Sequence, residues 1–150
     1  MATINQTDNN TPVYSISAAA KLVGISVHTM RMYEKEGLII PFKPKGRNRL
    51  YSYNDVERLK CMRVHIKEKK ISINAIKTIY SFLPCWKIID CPEEDRENCE
   101  AYAGSDLPCW MYNQKNSFCK DLDCRTCEVY LSFKNCDQIK DEINKHLRRL

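Results

Sequence analysis

The chain has 150 residues, 43% of them hydrophobic, enough for one domain or two small ones around a modest core. Its net charge of +5 is unevenly spread: residues 1–82 carry 14 Lys and Arg against six Asp and Glu, residues 83–150 carry ten against 13. No apolar run is long enough to span a bilayer and the polar start lacks a signal-peptide core, so a cytoplasmic protein without a membrane partner is expected.

A basic half joined to an acidic half suits a nucleic-acid reader with a separate sensing part. In a reducing compartment the nine cysteines read as metal ligands or redox groups before they read as structural disulfides. Residues 1–12, rich in Asn and Thr, are expected to be a disordered lead-in. Ser17 can cap a short helix over 18–23, closed by Gly24. A second helix follows after two residues, with Ser26 as its cap and Gly37 as its stop. Met30 and Tyr33, with Ile25 and Val27 just before them, make one apolar face. His28, Thr29, Arg31 and Lys35 lie on the other, able to donate to phosphates or base edges. An amphipathic helix with a solvated basic face would show the same pattern, but two short helices joined by a Gly-containing turn are a helix-turn-helix.

Residues 42–51 predict a small hairpin with Gly46 at its bend and Phe42 and Leu50 facing the core. Its tip gathers Lys43, Lys45, Arg47, Asn48 and Arg49, a density of cations suited to neutralising phosphates beside a groove. Ser52 and Asp55 frame a capping box. The helix that follows places Val56, Leu59, Met62, Ile66 and Val64 on its apolar face, with Cys61 at the edge. Ser72 caps another helix, with Ile73, Ile76 and Ile79 inward, ending before Pro84. The expected fold is mainly α: a winged helix-turn-helix DNA-binding domain over 13–82, a small cysteine-rich module over 83–136 and a short C-terminal helix over 137–150.

The stretch YSISAAAKLVGISVHTMRMYEKEGLI at 14–39, followed by RLYS at 49–52 and DVERL at 55–59, resembles the opening of the MerR family of transcriptional regulators. The wing GRNRLYS at 46–52 is most similar to the heat-shock-repressor and glutamine-regulator branch. The resemblance implies a homodimer on an inverted-repeat promoter element of double-stranded DNA, with RNA polymerase as a further partner. One recognition helix per subunit would enter the major groove with a wing beside it. Carried over by position, Ser26, His28 and Thr29 would sit nearest the bases and Arg31 and Tyr33 would contact or orient the backbone. Arg47, Arg49 and Tyr51 would be wing contacts. Met32 departs from the family, which usually has an aromatic residue there.

The remaining half repeats itself. LPCW at 83–86 recurs at 107–110, and CEAY at 99–102 recurs as CEVY at 127–130, defining units 83–102 and 107–130 that suggest two pseudo-equivalent lobes. The candidate metal ligands are Cys85, Cys91, Cys99, Cys109, Cys119, Cys124 and Cys127, with Cys136 an outlier. Only Cys124 and Cys127 have the Cys-x-x-Cys spacing that puts two thiolates on one turn. His28, His65 and His146 lie outside both units, so a site would be all-sulfur, suited to zinc or an iron–sulfur cluster. A structural metal or disulfide staple, and thiol–disulfide sensing without metal, are the alternatives. The tryptophans could shield a cluster from water or serve as core. The Cys-Trp pairs resemble those in cysteine-rich sensory modules attached to bacterial signalling proteins. Ile139, Ile143, Leu147 and Leu150 recur every three or four residues on a C-terminal helix too short to hold a dimer alone.

The functional expectation is a non-enzymatic, sequence-specific regulator responding to metal or redox state. One rival is a thiol oxidoreductase using Cys124 and Cys127, without the βαβ pattern such enzymes show. The other is a non-specific DNA-binding scaffold protein.

Overall fold

In the computed structural model of the chain, residues 8–112, 114–132 and 139–148 are described. Their elements are β1 (Tyr14–Ser15), α1 (Ile16–Val23), α2 (Val27–Lys35), β2 (Leu50–Tyr51), α3 (Tyr53–Lys67) and α4 (Ile73–Ser81). Four short helices follow, α5 (Cys85–Ile88), α6 (Glu93–Arg96), α7 (Glu100–Ala103) and α8 (Glu128–Leu131), and then α9 (Ile139–Leu147). Single 3-10 turns stand at Cys109–Met111 and Cys124–Thr126. None of these helices is long and apolar enough to cross a membrane.

Local chemistry explains most of these boundaries. Ser26 Oγ accepts the Thr29 amide at 3.0 Å and opens α2, and Gly37, at φ +74°, turns the chain out of it. The capping box of α3 is complete: the Asp55 amide donates to Ser52 Oγ at 3.1 Å and the Ser52 amide to Asp55 Oδ2 at 2.8 Å. Ser72 caps α4 through the Ala75 amide. The cap of α1 is Ser15, not Ser17: its hydroxyl accepts the Ala18 amide at 3.1 Å. The physical reason is tertiary. Tyr14 and Ser15 pair antiparallel with Tyr51 and Leu50, so the chain passes from strand directly into helix.

The wing is a hairpin. Phe42 and Leu50 exchange backbone bonds of 2.9 and 2.8 Å, and Gly46 adopts φ +70° at the tip. Phe42, expected to face the core, is 39% exposed, because β2 presents Tyr51 rather than its partner's ring to the interior.

The core gathers Ala19, Ala20, Met30, Tyr33, Leu38, Ile39, Tyr51, Val56, Leu59 and Met62, and it continues without a break into Ile88, Val129 and Tyr130. The cysteine-rich segment therefore packs on the helix-turn-helix through one shared interior. Two apolar expectations fail. Val64 and Ile79 are exposed, while Tyr80 is buried, since α4 turns the i, i+4 face of Ile76 and Tyr80 inward. Residues 8–12 are not a disordered lead-in. The Asn54 amide donates to Asn9 O at 3.0 Å and Asn54 Nδ2 to Asn10 Oδ1 at 2.7 Å, pinning this turn to the start of α3. Cys136, Leu150 and the side chains of Ile139 and Leu147 lie outside the described residues.

Candidate functional site

Two sites stand on this scaffold. The first is the outer face of α2 with the wing. His28, Arg31 and Lys35 on the helix, and Lys43, Lys45, Arg47 and Asn48 on the loop, are all exposed. Ser26 is exposed and Thr29 half-buried, and their hydroxyls hydrogen-bond each other at 3.0 Å as well as capping the helix. Glu34 fastens helix to wing: its carboxylate pairs with Arg49 Nε at 3.0 Å and accepts the Tyr51 hydroxyl.

Two expected DNA contacts are corrected by this arrangement. Tyr33 is 1% and Tyr51 0% exposed, so neither ring reaches a ligand. Tyr33 lies on the Met30 face and accepts Arg63 Nη1 at 3.3 Å, and Tyr51 is held under the wing by its pairing with Tyr14. Burial, with Glu34 adding to it, pushes the Tyr51 phenol well above its ordinary range. Arg49, its side chain 42% exposed, pairs with Glu34 and still faces solvent in part. These residues position the reading surface. Arg31, Lys35, Lys43, Lys45 and Arg47 are cations of this face that meet solvent.

The second site is a cavity of about 30 Å³, space for roughly two waters. All seven candidate ligands line it: Cys85, Cys91, Cys99, Cys109, Cys119, Cys124 and Cys127. None of them is in a disulfide; Cys61, on α3, is disulfide-bonded. Burial pushes the Cys85 thiol up to about 11, with Cys99, Cys91 and Cys127 adding to it. Cys119 is pushed up to about 12 by burial and then by Cys127, Cys85, Cys91 and Cys99. Burial also raises Cys91, Cys109 and Cys124. Such a ring of buried thiols stays neutral unless a cation enters to balance the thiolates. Among the described residues, no group of three or more His, Cys, Asp or Glu is arranged to hold a bare metal ion.

The repeat seen in the sequence is a repeat of structure. Cys85 and Cys109 each open a helical turn immediately after a proline, and Cys99 and Cys127 immediately precede α7 and α8. Within each unit the tryptophan meets its own tyrosine edge-on. Trp86 and Tyr102 lie 5.1 Å apart at 83°, and Trp110 and Tyr130 lie 5.2 Å apart at 89°. The units differ in setting: Tyr102 is exposed, whereas Tyr130 is buried against the helix-turn-helix.

Charged groups that sequence reasoning did not single out join the two sites. Arg125, between Cys124 and Cys127, donates through Nη2 to Asp55 Oδ2 at 2.7 Å and through Nη1 to the Ile40 carbonyl. The Tyr130 hydroxyl accepts the Ile40 amide at 3.0 Å. Arg58 lies 3.8 Å above the Tyr130 ring, with Tyr80 and Trp110 also around it, and donates to the Tyr130 carbonyl at 2.9 Å. Trp110 Nε1 donates to the Gly37 carbonyl at 2.7 Å, where α2 ends and where any Cβ on Gly37 would strike Met111. A signal for Arg58 existed: it is a cation on the apolar face of α3, between Asp55 and Met62. Nothing in the local sequence marks Arg125 as buried.

Residues 14–83 match the family described as MerR HTH family regulatory protein. Heat shock protein HspR of Streptomyces coelicolor is 40% identical over 70 residues, 47% of this chain and 46% of that protein. The HTH-type transcriptional regulator TnrA of Bacillus subtilis is 39% identical over 59 residues, 39% of this chain and 54% of that protein. The mercuric resistance operon regulatory protein of Pseudomonas fluorescens is 39% identical over 54 residues, 35% of this chain and 38% of that protein. The chain thus spans about half the length, or less, of the relatives it matches.

Proposed function

From the premise that residues 14–83 are a helix-turn-helix domain of the MerR family, we propose that the protein is a sequence-specific transcriptional regulator. Its cysteine-rich module reports metal or redox state to the DNA-reading surface. The observation that carries the reading is the free basic face: His28, Arg31 and Lys35 on α2 beside Lys43, Lys45 and Arg47 on the wing. A helix of this width fits the major groove, while the loop cations neutralise the adjoining phosphates. The protein acts in the cytoplasm as a homodimer on an inverted-repeat promoter element, where RNA polymerase is a natural further partner.

The module reaches the reading surface through short routes. Arg125 connects the Cys124–Cys127 turn to the cap of α3 and to Ile40, and Trp110, next to Cys109, holds the end of α2. A change of charge or bonding among these cysteines shifts the position of both anchors, and so biases the orientation of α2 and the wing. This reading is non-enzymatic. Burial raises the Cys124 thiol, the reverse of what an attacking thiolate in an oxidoreductase needs.

The test is a competition of genomic promoter fragments against random duplex across a salt series, with oxidised, reduced and metal-treated protein. The expected result is a promoter preference of at least tenfold that one treatment changes. Equal affinity for all duplexes overturns the regulator reading, and a preference indifferent to every treatment removes the sensor.

A further inference from the structure

The two repeat units place the same ring pair in different settings. In the second unit, Trp110 and Tyr130 receive a cation from the reader: the Arg58 guanidinium of α3 lies 3.8 Å from the Tyr130 ring centre and 5.5 Å from that of Trp110. In the first unit, Trp86 and Tyr102 meet with the same geometry, 5.1 Å and 83° against 5.2 Å and 89°, yet among the described residues no cation lies over them. Tyr102 is 42% exposed where Tyr130 is 2% exposed, and Phe118 and Leu122, on the rim of the same cavity, are exposed beside it. The first unit thus presents at the surface the seat that the second unit uses inside the chain. A guanidinium held over such rings is attracted by their electron-rich faces, the more so as water is excluded.

Charge and elimination select the occupant. Residues 87–106 carry seven Asp and Glu against two Lys and Arg, so the surroundings of the pair attract a basic element. Among the described arginines, Arg49, Arg58, Arg63, Arg96 and Arg125 are bonded within the chain, and Arg31 and Arg47 belong to the DNA-reading face. That leaves Arg148, exposed at the end of α9, where its amide bonds the Asn144 carbonyl at 3.1 Å and prolongs the helix. Residues 139–150 carry four Lys and Arg against two Asp and Glu, the charge opposite to that of the first unit. The chain's own Arg148 does not lie on the pair, so the Arg148 that fits it comes from another copy.

We propose that the Trp86–Tyr102 face is an interface between copies of this chain, on which α9 of a second copy docks with its Arg148 over the two rings. The exchange is reciprocal, each copy giving its α9 and receiving the other's, so the arrangement closes as a two-fold dimer. Reciprocity doubles a contact that a single helix of nine residues is too short to sustain alone. The proposal rests on the homodimer of the function stated above and specifies its interface.

The test is sedimentation equilibrium of the full, reduced chain over a dilution series. The wild type should be a dimer, and Tyr102→Ala and Arg148→Glu should each raise its dissociation constant at least tenfold. Glu97→Lys with Glu100→Lys, at exposed positions outside the core, should do the same. Mixing the Tyr102→Ala and Arg148→Glu chains rebuilds one intact seat. A contact already broken on one side loses little more when its other side is changed, so the mixture should associate about threefold more tightly than either variant alone. A monomeric wild type overturns the proposal, as does association unchanged by either single substitution. A mixture no tighter than its components also overturns it, because it puts the ring pair and Arg148 in one chain or against another protein. A dimer that responds as expected but shows no promoter preference supports the proposal and removes only the regulator reading. A promoter-selective dimer indifferent to these substitutions removes only the interface.

Discussion

Replacing Arg125 by Met tests the joint between module and reader most directly. The guanidinium is buried and bonded to Asp55 Oδ2 at 2.7 Å and to the Ile40 carbonyl. Its loss leaves the Asp55 carboxylate, 4% exposed, facing only the Ser52 amide at 2.8 Å and the Tyr130 hydroxyl at 3.5 Å. Removing one partner of a buried ion pair costs about 3–5 kcal/mol, chiefly through the stranded charge. The two surviving donors put the expectation at the lower end, about 3 kcal/mol. Removing the charge from both partners, in Asp55→Asn with Arg125→Met, should recover much of that loss, because Asn still accepts the Ser52 amide and no charge is left unpaired. Urea unfolding followed by tryptophan fluorescence and circular dichroism measures all four corners of the cycle. A single-variant cost below about 1 kcal/mol, or a double variant costing the sum of the singles, would refute the claim that this pair is a buried link.

Arg47→Ala should weaken binding to every duplex and reduce the salt slope by about one unit. Arg49→Ala, already paired with Glu34, should change the slope less, and equal effects in a salt titration would contradict that pairing. Trp110→Phe keeps the ring against Tyr130 but loses the 2.7 Å bond to the Gly37 carbonyl, for an expected cost of about 1 kcal/mol in thermal melts. Gly37→Ala should cost more, because φ is +74° and the new methyl group meets the Met111 side chain. The pH dependence has a definite sign. Cys85 and Cys119 lie at about 11 and about 12 when folded, against 9.0 when unperturbed. Folding therefore favours their neutral form, and that stability is full below pH 9 and declines as the pH rises toward 11 and 12. Melting temperatures of the metal-free, reduced protein that stay level across this range would contradict the crowding of the thiols.

How far the sequence could be read depended on the range of the interaction concerned. Caps and stops within a few residues were legible: Ser26, Gly37, the Ser52–Asp55 box and Ser72 stand where side-chain chemistry puts them. So did the exposed cations of α2 and the wing, because a basic residue off the apolar face has nowhere to go but solvent. The duplicated Cys-Trp and Cys-Glu-x-Tyr motifs announced two like units, and their paired ring stacks bear this out. Tertiary structure decided the rest. Strand pairing moved the cap of α1 to Ser15 and drew Tyr51 out of reach of a ligand. The Met30 face took Tyr33 inward, and Glu34 claimed Arg49. No local pattern could place Arg125 against Asp55, since a buried ion pair is made by two surfaces meeting 70 residues apart in the chain. The same is true of the thiols: seven cysteines scattered over 83–130 become one cavity only when the two units close on each other and dock against α2, α3 and α4.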